Sequence, residues 1–437
     1  MLKRKMLDTL RAWKASHKSE CLLINGARQV GKSYVVNVFG REEYESFVSL
    51  DFVRNPEQKE IFAGSLDPNE IASRISLYVP GARLLPGRTL IFIDEIQECP
   101  QARSAFKYLA QDGRFDVIGS GSLLGIRFRG LEDAPSLPVG YERQITMRPL
   151  DFEEFLWARG YQPEAVDVLR GYFERLEPVP AGINERMMRL LREYLAIGGM
   201  PAVVQSFVEG ADFGRAHDTQ LQLHALYLDD IAKYAPSAER VKARSCYSSL
   251  PRQLAKENTR FSYATVESRG RARKFEGSID WLEGAEMVQR CPAVSAPAFP
   301  LVAYEQGERF RLYANDTGLL MAMYDFSMKA SVVDNTLTGS MKGGLYENLV
   351  AGMLTAHNVP LRYWTSSDSK HEIEFLVDWE GSVVPVEVKA GRGSTASLNA
   401  LLEREDIVLG YKLVDGNVGR DGKKVTLPLY MAMFLFG

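Results

Sequence analysis

The chain has 437 residues, of which 46% are hydrophobic and 25% charged, and its formal net charge is −3. That length exceeds one ordinary core and predicts two or three domains, while the composition excludes a disordered or fibrous chain. The small net charge gives no global field for nucleic acid or membrane, so any such partner must meet a local patch.

Residues 1–19 mix Leu2, Met6, Leu7, Leu10 and Trp13 with Lys3, Arg4, Lys5, Arg11 and Lys14. They predict an amphipathic helix, packed on the domain that follows or resting on a membrane surface. The segment lacks an apolar signal core, and nothing in the chain reaches the ~18 continuous apolar residues of a membrane span. The four cysteines, Cys21, Cys99, Cys246 and Cys291, are scattered without CxxC spacing. This argues against a zinc site or a disulfide framework and for a reducing, cytoplasmic setting.

Residues 21–24 read as an apolar strand and 34–39 as an apolar helix; between them stands Gly26-Ala27-Arg28-Gln29-Val30-Gly31-Lys32-Ser33. This run matches GxxxxGK[ST] in full and has the strand, loop, helix setting that a phosphate-binding loop requires. Successive backbone N–H groups in such a loop hold nucleotide phosphates at a helix N-terminus. Lys32 would reach the β/γ-phosphates and Ser33 would ligate Mg²⁺.

A second strand is predicted at 47–52 and helical segments at 57–62 and 68–77. The apolar strand 89–95 then ends in Asp94 and Glu95. Beside a phosphate loop, the first acid supports the magnesium and the second polarises the attacking water. A helix at 101–111 and a strand at 115–119 lead to Ser120-Gly121-Ser122, and a last strand covers 144–147. Strands alternating with helices predict a parallel sheet covered on both faces. Ser120 or Ser122 is the candidate contact to the γ-phosphate or its water, or a helix cap.

From Asp151 the texture becomes helical, and Gly198-Gly199-Met200-Pro201 marks an extended loop or sharp bend. Helices at 245–256 and 271–289 precede a hairpin pairing 301–305 with 309–313 around Gln306-Gly307-Glu308, an order that suggests a winged helix. Arg260, Arg269, Arg271, Arg273 and Lys274 have few acids between them, which suits either DNA phosphates or a solvated helix face.

In the terminal region, residues 371–379 alternate, with Ile373, Phe375, Val377 and Trp379 on one face and Glu372, Glu374 and Asp378 on the other. Residues 383–390 alternate too, with Glu387 and Lys389 sharing the polar face, and a turn at Glu380-Gly381 brings Glu374, Glu387 and Lys389 together. Glu347, on a helix at 345–357, could face the same place. Carboxylates that gather Mg²⁺ beside a lysine that orients water are the needs of phosphodiester cleavage. The spacing is that of the PD-(D/E)xK nuclease core, with Glu374 where that core usually carries Asp; the alternative is a solvent-exposed hairpin.

On these motifs the chain resembles the prokaryotic AAA-type ATP-binding proteins that join an N-terminal P-loop ATPase to a C-terminal domain of unknown function. The likeness also rests on Ile93-Asp94-Glu95-Ile96-Gln97, Pro149-Leu150-Asp151-Phe152-Glu153-Glu154-Phe155-Leu156, Asn315-Asp316-Thr317-Gly318-Leu319, Tyr346-Glu347-Asn348 and Pro385-Val386-Glu387-Val388-Lys389. It implies an α/β fold: a P-loop AAA+ parallel sheet with a helical lid over 1–150, a helical and winged-helix-like region over 151–325, and an α/β PD-(D/E)xK nuclease-like domain over 326–437. AAA+ relatives usually complete the site with a neighbour's arginine, for which Arg143, Arg127 and Arg129 are candidates. The expected activity is Mg²⁺-dependent ATP hydrolysis coupled to a C-terminal effector, with DNA, a second copy or another protein as partner. An ATP-gated nuclease and a nucleotide-binding switch with little turnover remain the alternatives.

Overall fold

The computed structural model describes residues 2–16, 19–122, 138–391 and 395–437. The chain divides into two units, Lys3–Arg148 with Gly284–Glu286, and Pro149–Glu283 with Met287–Gly437 and the first two residues. Among the described residues no helix is long and apolar enough to cross a membrane.

The first unit opens with the helix Met6–Ala15, which buries Leu10 and Trp13. Its strands are β1 (Cys21–Asn25), β2 (Ser46–Asp51), β3 (Thr89–Asp94), β4 (Asp116–Ser120) and β5 (Glu142–Thr146), in the order β2-β3-β4-β1-β5. All pairings are parallel. Leu22 to Ile24 and Leu90 to Ile93 are buried at every position, as strands covered on both faces must be. The order places β4 between β3 and β1, so the tips that carry Asp94, Ser120 and Asn25 lie side by side at one edge. In open parallel sheets that carboxyl edge is where ligands bind. The predicted helix 101–111 is broken at Ala105 into Pro100–Ser104 and Phe106–Asp112.

The second unit begins with helices, including Ala181–Ile197, Pro201–Val208 and Phe213–Tyr234. The Gly198-Gly199 bend is a packing device. A Cβ on Gly199 would lie 2.0 Å from the Leu150 carbonyl oxygen, and the Gly199 N–H donates to Asp316 Oδ2 at 2.6 Å. Asp316 Oδ1 also caps the helix Thr317–Met321 through the Leu319 N–H at 2.8 Å. Two separated sequence motifs thus meet in one buried knot.

Next come the helices Arg240–Ser248 and Leu250–Leu254, a backbone bridge between Arg260 and Arg311, and the helices Tyr263–Val266 and Ala272–Gly284. β6 (Val288–Val294) and β7 (Glu305–Ala314) then pair antiparallel. This corrects the predicted hairpin. Leu301–Tyr304 is a 3₁₀ turn rather than a strand, and Gln306-Gly307-Glu308 lies within β7. The register slips at Pro292/Ala293, whose partners jump from Phe310 to Gln306. Proline has no N–H to give the ladder, so a bulge absorbs residues that composition reads as a turn. The predicted helix 271–289 ends correspondingly at Gly284, and the predicted helix 245–256 is divided at Ser249.

The last strands are β8 (Tyr363–Thr365), β9 (Glu372–Ile373), β10 (Phe375–Trp379), β11 (Ser382–Lys389), β12 (Gly410–Val414), β13 (Gly419–Asp421) and β14 (Lys424–Pro428). They form one sheet in the order β7-β6-β8-β9 and another in the order β10-β11-β12-β14-β13. The first of these sheets crosses the sequence boundary at 325/326, because β8 pairs with β6. The predicted strand 371–379 is interrupted at Glu374, with β9 in one sheet and β10 in the other. Leu376, on the expected polar face, is buried, whereas Trp379 is 39% exposed. Val383 and Val384 are both buried, so neighbouring elements cover both faces and strict alternation fails.

Candidate functional site

β1 delivers the chain to Gly26, whose φ is +147°, and a Cβ there would lie 2.2 Å from the Met147 carbonyl oxygen. Only glycine fits that approach. The loop ends at Gly31, the N-cap of the helix Lys32–Glu43. Unpaired N–H groups and the helix dipole favour an anion at such a terminus. Lys32 is buried, and its Nζ donates to the carbonyl oxygens of Gly26 at 2.9 Å and Ala27 at 2.8 Å. Burial lowers the Lys32 pKa to about 8, against the upward pull of Glu95 and Asp94.

At the end of β3, Asp94 Oδ1 accepts from the Ser120 hydroxyl and from the Glu95 N–H at 3.1 Å. Burial raises the Asp94 pKa, and hydrogen bonds from Ser120 and Ser33 oppose that rise. Glu95 takes the left-handed conformation at φ +49°, where the chain leaves the sheet. Its Oε2 accepts from Gln97 Nε2 and from Ser122 Oγ at 3.3 Å. Arg28 Nε in turn donates to Ser122 Oγ at 3.3 Å.

The structure therefore brings Gly26, Ala27, Arg28, Gln29, Val30, Gly31, Lys32 and Ser33 to the same edge as Asp94, Glu95 and Ser120. Both serines bond to the acids rather than capping a helix. Gln97, which the sequence shows only as the last residue of the run Ile93-Asp94-Glu95-Ile96-Gln97 and without a role, also takes part in the site. Arg143 lies on β5, 46% exposed and 3.9 Å from Glu20. Arg127 and Arg129 lie outside the described residues.

In the second unit, a cavity of about 670 Å³ is lined by Glu347, Glu372, Glu374, Lys370 and Lys389, among others. Lys389 Nζ lies 3.0 Å from Glu374 Oε1 and 3.6 Å from Glu387 Oε1. The three residues meet as the hairpin predicts, but Glu374 and Glu387 are buried rather than on a solvated face. Burial pushes the Glu387 pKa up to about 7 although Lys389 opposes it, and Glu387 Oε2 has no hydrogen-bond partner among the described residues. Glu347 lines the same cavity. Its Oε2 accepts from Arg311 Nη1 at 3.1 Å, Thr259 Oγ1 at 3.1 Å and the Tyr313 hydroxyl at 3.2 Å. Among the described residues no three His, Cys, Asp or Glu side chains are grouped so that they could hold a metal ion. In the basic segment, Arg260, Arg269, Arg271 and Arg273 are exposed, whereas Lys274 pairs with Glu267 at 2.6 Å.

Residues 18–156 match the AAA domain family. Residues 188–330 and 342–429 match two domains of unknown function, DUF8612 and DUF4143. No match exists among curated proteins. Among solved structures, the chain is similar to the Walker-type ATPase PABY2304 of Pyrococcus abyssi at 13% identity, covering 74% of this chain and 96% of that one, with a TM-score of 0.43. It is similar to the Aeropyrum pernix ORC2 protein in its ADP form at 13% identity, covering 79% and 95%, with a TM-score of 0.32. It is also similar to AMPPCP-bound DnaA from Aquifex aeolicus at 11% identity, covering 64% and 87%, with a TM-score of 0.30. The parallel sheet with its phosphate-loop motif is a P-loop fold, and residues 18–156 match an AAA domain.

Proposed function

We propose that this protein is a Mg²⁺-dependent ATPase whose nucleotide state drives an effector in the rest of the chain. The observation that carries the reading is the meeting of Ser33, Asp94, Ser120 and Glu95 at the phosphate-loop end of the sheet. In this reading the loop from Gly26 to Ser33 holds ATP phosphates, and Lys32 Nζ exchanges its carbonyl partners for phosphate oxygens. The Glu95 carboxylate orients the attacking water and accepts its proton. The Ser33 hydroxyl and Asp94 carboxylate are hard oxygen donors already hydrogen-bonded to each other, which suits Mg²⁺. Bound there, the ion would neutralise phosphate charge. ATP turnover by wild type, Lys32→Ala and Glu95→Gln tests the assignment: loss in both variants is expected, and equal turnover in all three would refute it.

The partner in this reading is DNA. The order of helices, bridge and the antiparallel pair β6–β7 supports a winged-helix-like middle, and exposed Arg260, Arg269, Arg271 and Arg273 suit phosphate contacts.

A second reading, an ATP-gated PD-(D/E)xK-like nuclease, draws on Lys389 meeting Glu374 and Glu387 beside the 670 Å³ cavity. Mg²⁺-dependent cleavage of single- or double-stranded DNA that disappears in Lys389→Ala is its expected result. No cleavage would leave this domain as a binding module.

A further inference from the structure

Within the first unit, one chain of hydrogen bonds ties the phosphate loop to the acid at the end of β3. Arg28 Nε donates to Ser122 Oγ at 3.3 Å, and Ser122 Oγ donates to Glu95 Oε2 at 3.3 Å. Gln97 Nε2 donates to the same carboxylate oxygen. The direction is fixed by chemistry: a guanidinium can only donate and a carboxylate can only accept, so the Ser122 hydroxyl must accept from one and donate to the other. Ser122 and Gln97 are buried, which leaves water little opportunity to replace either bond.

Arg28 is the third residue of the phosphate-binding run, so it stands where the phosphates of a nucleotide would lie. A polyphosphate competes for its guanidinium, because arginine binds phosphate oxygens more strongly than it binds a neutral hydroxyl. We propose that Arg28, acting through Ser122, is a positioning residue for Glu95: it gives its bond to Ser122 in the nucleotide-free site and its bond to phosphate in the loaded one. Occupancy of the loop and placement of the acid are then two readouts of a single equilibrium. With Arg28 drawn to phosphate, Ser122 keeps its bond to Glu95 and aims the carboxylate while no longer being held by the loop. This inference rests on the ATPase reading above and adds a coupling that the phosphate loop and the paired acids do not contain by themselves.

The coupling predicts a split that simple damage would not produce. In Ser122→Ala the guanidinium has one hydrogen bond fewer to give up, so a nonhydrolysable ATP analogue should bind about 3- to 10-fold more tightly; Glu95 loses one anchor, so kcat should fall about tenfold. In Arg28→Ala the phosphate contact is lost and binding should weaken. Adding Ser122→Ala to that background should then give no gain in affinity, since the gain exists only where Arg28 is present. Ser122→Thr keeps a hydroxyl and should return both constants to within threefold of wild type.

The experiment is analogue binding by titration calorimetry together with steady-state turnover for wild type, the three single variants and the double variant, with thermal melting of each. Tighter binding with slower turnover in Ser122→Ala, cancelled in the double variant and rescued by threonine, supports the coupling. Unchanged constants in Ser122→Ala, additive effects in the double variant, or parallel losses in affinity and kcat would overturn it. A wild-type protein that binds no nucleotide would instead refute the ATPase reading, so the two failures are distinct.

Discussion

Lys32 Nζ lies 2.8 Å from the carbonyl oxygen of Ala27, so the cation proposed to bind phosphate is here bonded to its own loop. Its pKa of about 8 is set chiefly by burial, and it lies below the ordinary lysine value. The folded state therefore disfavours the charged amine; that penalty is fully present below pH 8 and is relieved as pH rises toward the unfolded value. Bound phosphate restores the charge, so between about pH 8 and 10.5 binding takes up a proton. ATP affinity should weaken up to about tenfold per pH unit in that window, and Lys32→Met should flatten the dependence. Calorimetric titrations at several pH values would check this.

Arg311 is fully buried and reaches Glu347 at 3.1 Å while also contacting Glu372. Removing one member of such a network strands the other charge in a dry site. Arg311→Ala should destabilise the second unit by about 3–5 kcal/mol, whereas Arg311→Met with Glu347→Leu should cost less than either change alone. Urea unfolding of the full chain measures both.

Glu387 tests the cluster around Lys389 without reference to cleavage. Its pKa of about 7 lies above the ordinary carboxylate value because of burial. The folded state then binds more proton than the unfolded one between about pH 4.5 and 7, so stability from this group is lost as pH rises through that range. Glu387→Gln should raise the melting temperature by several degrees at pH 8 and by less at pH 5.

The knot at Asp316 predicts a structural phenotype for a motif that looks functional. Gly199→Ala forces a Cβ to within 2.0 Å of the Leu150 carbonyl oxygen and disturbs the 2.6 Å bond to Asp316. A loss of about 2–3 kcal/mol of stability is expected, with turnover per folded molecule unchanged.

If DNA is the partner, Arg271→Ala and Arg273→Ala should each weaken binding alike across sequences and reduce the slope of log K against log salt by about one. A slope unchanged in both variants would remove this face from the interface.

The loop from Gly26 to Ser33, the strand ending in Asp94 and Glu95, and the alternation of strands with helices were legible because each is local: the spacing of apolar residues and a glycine requirement lie within a few neighbouring positions. What distance in the chain conceals was decided by tertiary packing. Ser120 and Ser122 follow Asp94 and Glu95 by 26 and 27 positions, and only the order β3-β4-β1 sets them against those acids. That Glu347 Oε2 accepts from Arg311, 36 residues earlier, was not readable from the local sequence. Alternation misled at Glu374 because β9 and β10 join different sheets, a matter of which edge is vacant rather than of local preference. Local sequence determined that a phosphate loop and two acids exist; the sheet order decided that a hydrogen-bonded path from Arg28 to Glu95 joins them.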